Sequence, residues 1–256
     1  MTDHTPVIHR VNHEIKQRRL EVLRVIELTP RMRRITLGGP ELAGFNSLGS
    51  DDHVKLLFGC TPEEQQTIDQ RSMGRDGGAR PTMREYTPRR IDLDASEMDI
   101  DFVLHGDGPA STWAEQAAPG QVLNIAGPRA SLVVPDIFDS YLLIGDETAI
   151  PAIARRLEAL PAGRNVLAVI EIEDEQERQP LNSLANVEVI WVQRHRQALL
   201  AVLEDLALPE GTLYSWIALE KSLTRQAKAL LLGKGVSEEA LKAAAYWRLD
   251  SSDEDA

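Results

Sequence analysis

Two periodicities divide the chain. Between residues 20 and 125, apolar positions alternate with polar ones or gather in short β-branched runs: 20–28 (LEVLRVIEL), 32–37 (MRRITL), 53–58 (HVKLLF), 83–87, 98–104 and 122–125. Alternation with period two sends every second side chain to one face of a sheet, and the Thr-Pro and Gly-Gly-Pro breaks between runs end the strands. One stretch, 109–118 (PASTWAEQAA), reads as a short helix among these strands. Residues 60–81 are polar and glycine-rich and read as a long loop, mobile or ligand-associated.

From residue 141 the rhythm changes. An apolar strand at 141–145 (YLLIG) runs into a helical pattern at 148–160, followed by strands at 165–170 and 187–192, a helix at 197–206, a strand at 213–219 and a helix at 222–232. Strands alternating with helices at this spacing predict a parallel sheet with crossover helices. The expected fold class is therefore β followed by α/β: a six-stranded antiparallel barrel over 1–138, then an α/β domain over 139–256, with the boundary inside 135–140.

Composition narrows the function classes. The chain has 256 residues, 43% hydrophobic and 27% charged, enough for a sizeable core. No apolar run reaches the roughly 18 residues of a membrane helix, and residues 1–20 hold no secretory h-region, so neither membrane insertion nor export is expected. The one cysteine, Cys60, excludes an internal disulfide and fits a reducing, cytoplasmic setting; with no histidine close in sequence it reads as a small surface or core residue. Lys and Arg total 28 against 40 Asp and Glu, a net charge of −12, which argues against nucleic acid as partner. The acidic runs 171–177 and 250–256 read as solvated loop and frayed terminus.

Candidate chemistry sits at strand ends and turns. In Arg84-Glu85-Tyr86-Thr87-Pro88-Arg89, Arg84 and Tyr86 share one strand face: a guanidinium for a phosphate, a ring for a flat heterocycle, with the Thr87 hydroxyl beside them. The plainer reading is an edge strand with a solvated arginine. In the stretch from His105 to Trp113 (HGDGPASTW) a glycine turn opens the helix, with Ser111 and Thr112 in its first turn; this makes either a pyrophosphate seat or an ordinary capped helix. Gly127-Pro128-Arg129 places Arg129 at a pocket mouth or on a solvated turn. Asp146, Glu147 and Thr148 follow the first α/β strand at the edge where such sheets bind ligands, although Gly-x-Gly-x-x-Gly is missing and acidic first-turn residues also suit a helix dipole. Arg194-His195-Arg196 is either a seat for an adenosine 2′-phosphate or a basic turn. Lys55, between Val54 and Leu56, either snorkels outward or lines a polar site, and Tyr246-Trp247-Arg248 covers a planar ring or packs the C-terminal helix.

Taken in register, FNSLGSDDHVKLLF, REYTPR, DFVLHGDGPASTWA, IAGPRASLVVPD, YLLIGDETAIPAIARRLEALP and AAAYWR resemble the siderophore-interacting protein family, a branch of the ferredoxin-reductase-like flavoenzymes, across residues 18–248. The resemblance implies an FAD-binding barrel and an NAD(P)H-binding α/β domain. Arg84 would bind an FAD phosphate, Tyr86 would flank the isoalloxazine and Thr87 would contact it, with His105, Ser111 and Thr112 at the rest of FAD. Asp146, Glu147 and Thr148 would serve the nicotinamide, and Lys55 and Arg129 would attract an anionic ferric chelate, a catecholate being favoured. The implied activity is ferric-siderophore reduction with FAD and NADPH by a cytoplasmic monomer, with no metal ligands and no catalytic acid or base. The alternatives are a general flavin or ferredoxin-type reductase and a siderophore-binding protein without turnover. One position departs from the family: Leu219 stands where relatives often carry glycine in Trp216-Ile217-Ala218-Leu219-Glu220, which puts the grip on the nicotinamide in question.

Overall fold

Inward-facing alternation builds the first half of the chain. In β2 (Gln17–Thr29) Leu20 and Val22 are buried while their neighbours Arg19 and Glu21 are outside. β3 (Met32–Gly38), β4 (Val54–Phe58), β7 (Glu97–Val103) and β8 (Val122–Ala126) repeat the rule and bring Ile35, Leu37, Leu56, Met98, Ile100, Leu123 and Ile125 into one core. The structure, a computed structural model, describes residues 7–59, 81–106 and 108–249. Cys60, the expected 60–81 loop except residue 81, Asp107 and the acidic 250–256 tail lie outside the described residues. The chain divides into two compact units, Met1–Pro135 and Asp136–Ala256.

The first unit is a seven-stranded antiparallel sheet in the order β5-β4-β8-β2-β3-β7-β6, where β5 is Thr82–Tyr86 and β6 is Pro88–Asp92. Its two edge strands are consecutive in the chain, joined by Thr87 alone. Neighbouring Cα atoms are about 3.8 Å apart, so one linking residue brings both edges together and the sheet curls round. The sequence predicted a closed six-stranded barrel; the structure instead has seven strands in a curled half-barrel, the added strand being β6, and β5 and β6 remain edges unpaired to each other. Helix α1 (Pro109–Gln116) sets Ala110 and Ala114 into the core. On the outer face, Asp99 and Asp101 are 5% and 4% exposed, which is tolerable because Arg90 and Arg34 reach them at 2.7 and 2.6 Å. A two-stranded sheet of β1 (His9–Asn12) and β9 (Ala130–Val133), not anticipated from sequence, completes the unit.

The second unit is a five-stranded parallel sheet in the order β12-β11-β10-β13-β14: β10 (Ser140–Gly145), β11 (Asn165–Ile172), β12 (Asn186–Gln193), β13 (Leu213–Glu220) and β14 (Leu241–Trp247). The chain moves outward from β10 to β12, then returns to the other side of β10. Right-handed crossovers therefore place α2 (Ile150–Ala159) and α4 (Lys221–Gly233) on opposite faces. Leu142, Ile144, Val169, Ile217 and Leu219 form one core with Leu199 and Leu203 of α3 (Leu199–Asp205) and Ala227 and Leu231 of α4. Reversal of strand order between β10 and β13 creates the switch point outside whose carboxyl ends ligands of such sheets bind. Gly145 ends β10 there, and a Cβ on it would collide with Ala149, so glycine lets the next turn lie flat on the strand. β14 was not anticipated: residues 241–247 form the edge strand beside β13.

Candidate functional site

Arg84-x-Tyr86-Thr87 lies at the seam where the two edge strands of the curled sheet meet. Arg84 and Tyr86 stand one residue apart on the same side. Arg84 is exposed, and among the described residues its guanidinium meets only the neighbouring Met83 carbonyl, at 2.9 Å. Tyr86 turns its ring onto Phe102, centroids 4.6 Å apart, and Phe102 lies 5.6 Å from Trp113 of α1. Burial pushes the Tyr86 hydroxyl well above the ordinary phenol range, so the ring is neutral. Thr87 at the bend is buried, 6% exposed.

That aromatic row joins the seam to the start of α1. Gly108 is the N-cap, with φ +98° and no side-chain cap, and Pro109 follows at the first helical position. The first-turn N–H groups are thus left for a ligand or water. Gly106, at φ +81°, has open space where a Cβ would project. His105 and Thr112 are exposed. Ser111 differs: it is fully buried, and its Oγ accepts the His105 N–H at 3.1 Å, so its hydroxyl shapes the turn. An exposed arginine, an uncapped helix start and a glycine turn fit the phosphates of a dinucleotide, and the Tyr86 edge fits its flat ring.

A basic cluster occupies the end of the same unit. Lys55 pairs across the β4–β8 ladder with Ala126 and points outward, its side chain 48% exposed. The nearest carboxylate is Glu85, 3.9 Å from Lys55 Nζ and 3.7 Å from His53 Nε2. Arg129 is exposed after the Gly127–Pro128 turn, whose peptide bond is cis. Buried Arg18 supports that turn, donating to the Gly127 and Lys16 carbonyls at 3.2 and 3.3 Å while its guanidinium lies 5.1 Å over Phe45. The His13 N–H donates to the Arg129 carbonyl at 2.9 Å. Behind them buried Asp52 accepts from Ser131, Ser47 and the Gly49 N–H, and His13 Nε2 contacts Ser131 at 2.7 Å. No sequence motif announced this hub, because its members come from three separated segments.

In the second unit the charged residues are bound to one another. Asp146 is 1% exposed: Oδ1 accepts the Thr148 N–H at 2.9 Å and its hydroxyl, and Oδ2 accepts Trp247 Nε1–H at 2.7 Å. Burial raises its carboxyl to about 6, against the pull of those hydrogen bonds and helped by the Glu147 charge. Glu147 is 7% exposed; one oxygen accepts the Glu173 N–H, the other Arg194 at 2.7 Å. Arg194 also reaches Glu171 at 3.1 Å and Glu173 at 2.6 Å. Burial alone would lower its pKa, but the carboxylates, Glu147 foremost, raise it. Arg194 is therefore neither an open phosphate seat nor a solvated turn residue: it neutralises the ends of β10 and β11. Leu219 is fully buried in the α3–α4 core, its carbonyl accepting from Thr224 at 3.1 Å, so its side chain stays clear of the opposite face.

The comparisons agree with this geometry. Residues 21–132 match the siderophore-interacting FAD-binding domain, and residues 138–250 match the siderophore-interacting protein model. The NADPH-dependent ferric-chelate reductase of Escherichia coli (strain K12) is 36% identical over 244 residues, 93% of this chain and 95% of that protein. A ferric vibriobactin reductase of Vibrio cholerae is 28% identical over 251 residues, 93% of this chain and 91% of that one. A siderophore utilization protein from T. fusca superposes with a TM-score of 0.85 at 36% identity, covering 96% of this chain and 99% of that one. With both units matched and a 36% identical relative spanning nearly its whole length, the chain belongs to the siderophore-interacting protein family.

Proposed function

We propose that the chain is an NADPH-dependent, FAD-containing ferric-siderophore reductase that converts chelated iron(III) to iron(II). The observation that carries the reading is the flavin seat: Arg84, exposed and without an acidic partner among the described residues, stands beside the Tyr86–Phe102–Trp113 row that leads to an uncapped helix start. A protein that only bound siderophores would not need it. When bound, the flavin supplies the exchange between a two-electron hydride donor and one-electron reduction of iron.

The chain's own residues bind and orient. Arg84 neutralises an FAD phosphate; the first turn of α1, with Thr112 and His105 at its surface, takes the remaining phosphate charge, and Ser111 holds the turn open from beneath. Tyr86 stays a neutral ring against the isoalloxazine, and Thr87 lies at the bend beside it. In the α/β unit, Thr148 and the Asp146 turn form a nicotinamide seat at the carboxyl end of β10, with Glu147 acting through Arg194 to fix the ends of β10 and β11. Lys55 and Arg129 draw in a polyanionic chelate, which favours a ferric catecholate over a neutral hydroxamate. No side-chain acid or base is required for electron transfer, and iron(II) binds hard oxygen donors far more weakly than iron(III), so reduction releases the metal.

A monomer is the proposed working unit. A cytoplasmic setting suits the lone Cys60. Among the described residues no helix is long and apolar enough to cross a membrane. The test is steady-state turnover with NADPH and a ferric triscatecholate, trapping iron(II) with ferrozine. The Lys55→Ala, Arg129→Ala double variant is expected to raise KM about tenfold for the triscatecholate and to spare small neutral acceptors. Equal losses on both would discard the basic cluster as the chelate site, and no iron(II) from the unaltered protein would discard the reductase.

A further inference from the structure

The hydrogen bond between Trp247 and Asp146 spans the place where the nucleotide should enter. Asp146 follows the last residue of β10 and Trp247 ends β14; these strands flank β13, so the 2.7 Å bond passes over the carboxyl end of β13 at the switch point. The sequence builds this reach through a register shift. Ala245 pairs with Leu219 but Trp247 pairs with Glu220, leaving Tyr246 as the extra residue of a bulge that re-aims the indole. Tyr246 turns instead to Trp216, ring centroids 6.0 Å apart. At the other end the Asp146 carboxylate is held by Thr148 through two donors and is almost wholly buried. Glu220 cannot replace it, because its carboxylate caps α4 through the Ser222 and Leu223 N–H groups at 2.5 and 3.1 Å.

A buried carboxylate that accepts a tryptophan N–H is expensive to keep unless the ring position matters, since burying charge costs several kcal/mol. We propose that Asp146 is a positioning residue: it latches Trp247 across the switch-point crevice, so that the indole forms one wall of the nicotinamide seat. The inference rests on the reading that a nicotinamide cofactor uses this edge of the α/β unit. The charged groups facing the latch are Glu147 and, beyond it, Arg194 with Glu171 and Glu173.

The test uses the full chain, ¹⁵N-labelled at its four tryptophans. Trp247→Phe keeps a ring in place and identifies the Trp247 indole N–H resonance. That resonance is expected to titrate near pH 6 with Asp146, to stop titrating in Asp146→Asn, and to shift when NADP⁺ is added. In turnover, each single variant should raise KM for NADPH about tenfold with kcat nearly unchanged, the loss expected for one hydrogen bond to a charged group. Asp146→Asn/Trp247→Phe should be no worse than either alone, because both remove one coupling. An indole resonance indifferent to Asp146→Asn overturns the latch. Additive KM effects, or variants with unchanged KM, overturn its role in the seat. Failure of the reductase reading shows separately, as absent flavin reduction in the unaltered protein with the indole titration intact.

Discussion

The barrel unit and the α/β unit hold their charge in opposite ways. Around the seam and the turn after β8, cations stand open: Arg84 meets only a backbone carbonyl, and Lys55 has Glu85 no nearer than 3.9 Å. At the carboxyl edge of the parallel sheet the buried charges are paired; Arg194 engages three carboxylates, and Asp146 is filled by Thr148 and Trp247. The first pattern awaits charge that arrives with a ligand, because exposed cations lose little while unpaired. The second is set in advance, because buried carboxylates cannot wait for a partner. Under the proposed function, the flavin and chelate seats are built from exposed cations and the nicotinamide edge from charges already paired.

The largest effect expected is at the knot. Glu147→Gln leaves Arg194 short of its most buried counter-charge and should destabilise the chain by about 3 kcal/mol, as broken buried pairs do; thermal unfolding with the FAD content checked would show it. On the open side the matching change, Arg84→Ala, should leave stability within about 0.5 kcal/mol yet weaken FAD binding roughly a hundredfold, measured by flavin fluorescence quenching. If Arg84→Ala destabilised the fold as much as Glu147→Gln, the contrast between the units would collapse.

A pH scan sharpens the same contrast. The Asp146 carboxyl is raised to about 6 in the folded chain against 3.8 ordinarily, so the folded state holds the extra proton between those values. Stability should therefore fall as pH rises from about 4 to 6, by up to roughly 3 kcal/mol from this group. Asp146→Asn should lack that slope, and a variant that kept it would place the titration elsewhere. The smallest effect is at Glu85. Glu85→Gln removes the carboxylate paired with His53 and Lys55 and should lower KM for a polyanionic chelate two- to threefold at low ionic strength, fading above about 0.15 M salt.

Much of this was legible in the sequence, for physical reasons. Alternation in 20–28 and 98–104 specifies which residues face the barrel core, and YLLIG followed by a helical period marks β10 and α2. β6 was hidden because Pro88 and the charged run after it carry no apolar alternation; its place is set by ion pairs to β7. β14 was hidden because three alanines give no period, and β1 and β9 because four residues are too few to show one. At the site, spacing alone put Arg84 and Tyr86 on one face. What spacing could not give was commitment: that Ser111 is turned inward, that Arg194 is consumed by carboxylates, and that Leu219 lies in the core clear of the opposite face. The Arg194 contacts join residues 21 to 47 positions apart, and the Ser111–His105 contact, only six apart, depends on which way a hydroxyl turns, so neither shows in a local pattern.

The most direct test of the central claim is an anaerobic absorbance titration of the FAD-loaded protein with NADPH, followed by a ferric triscatecholate. The account predicts a flavin spectrum that bleaches with NADPH and returns on adding the chelate, with iron(II) appearing in step. A protein that takes up no FAD, or a bleached flavin that the chelate cannot reoxidise, would contradict it.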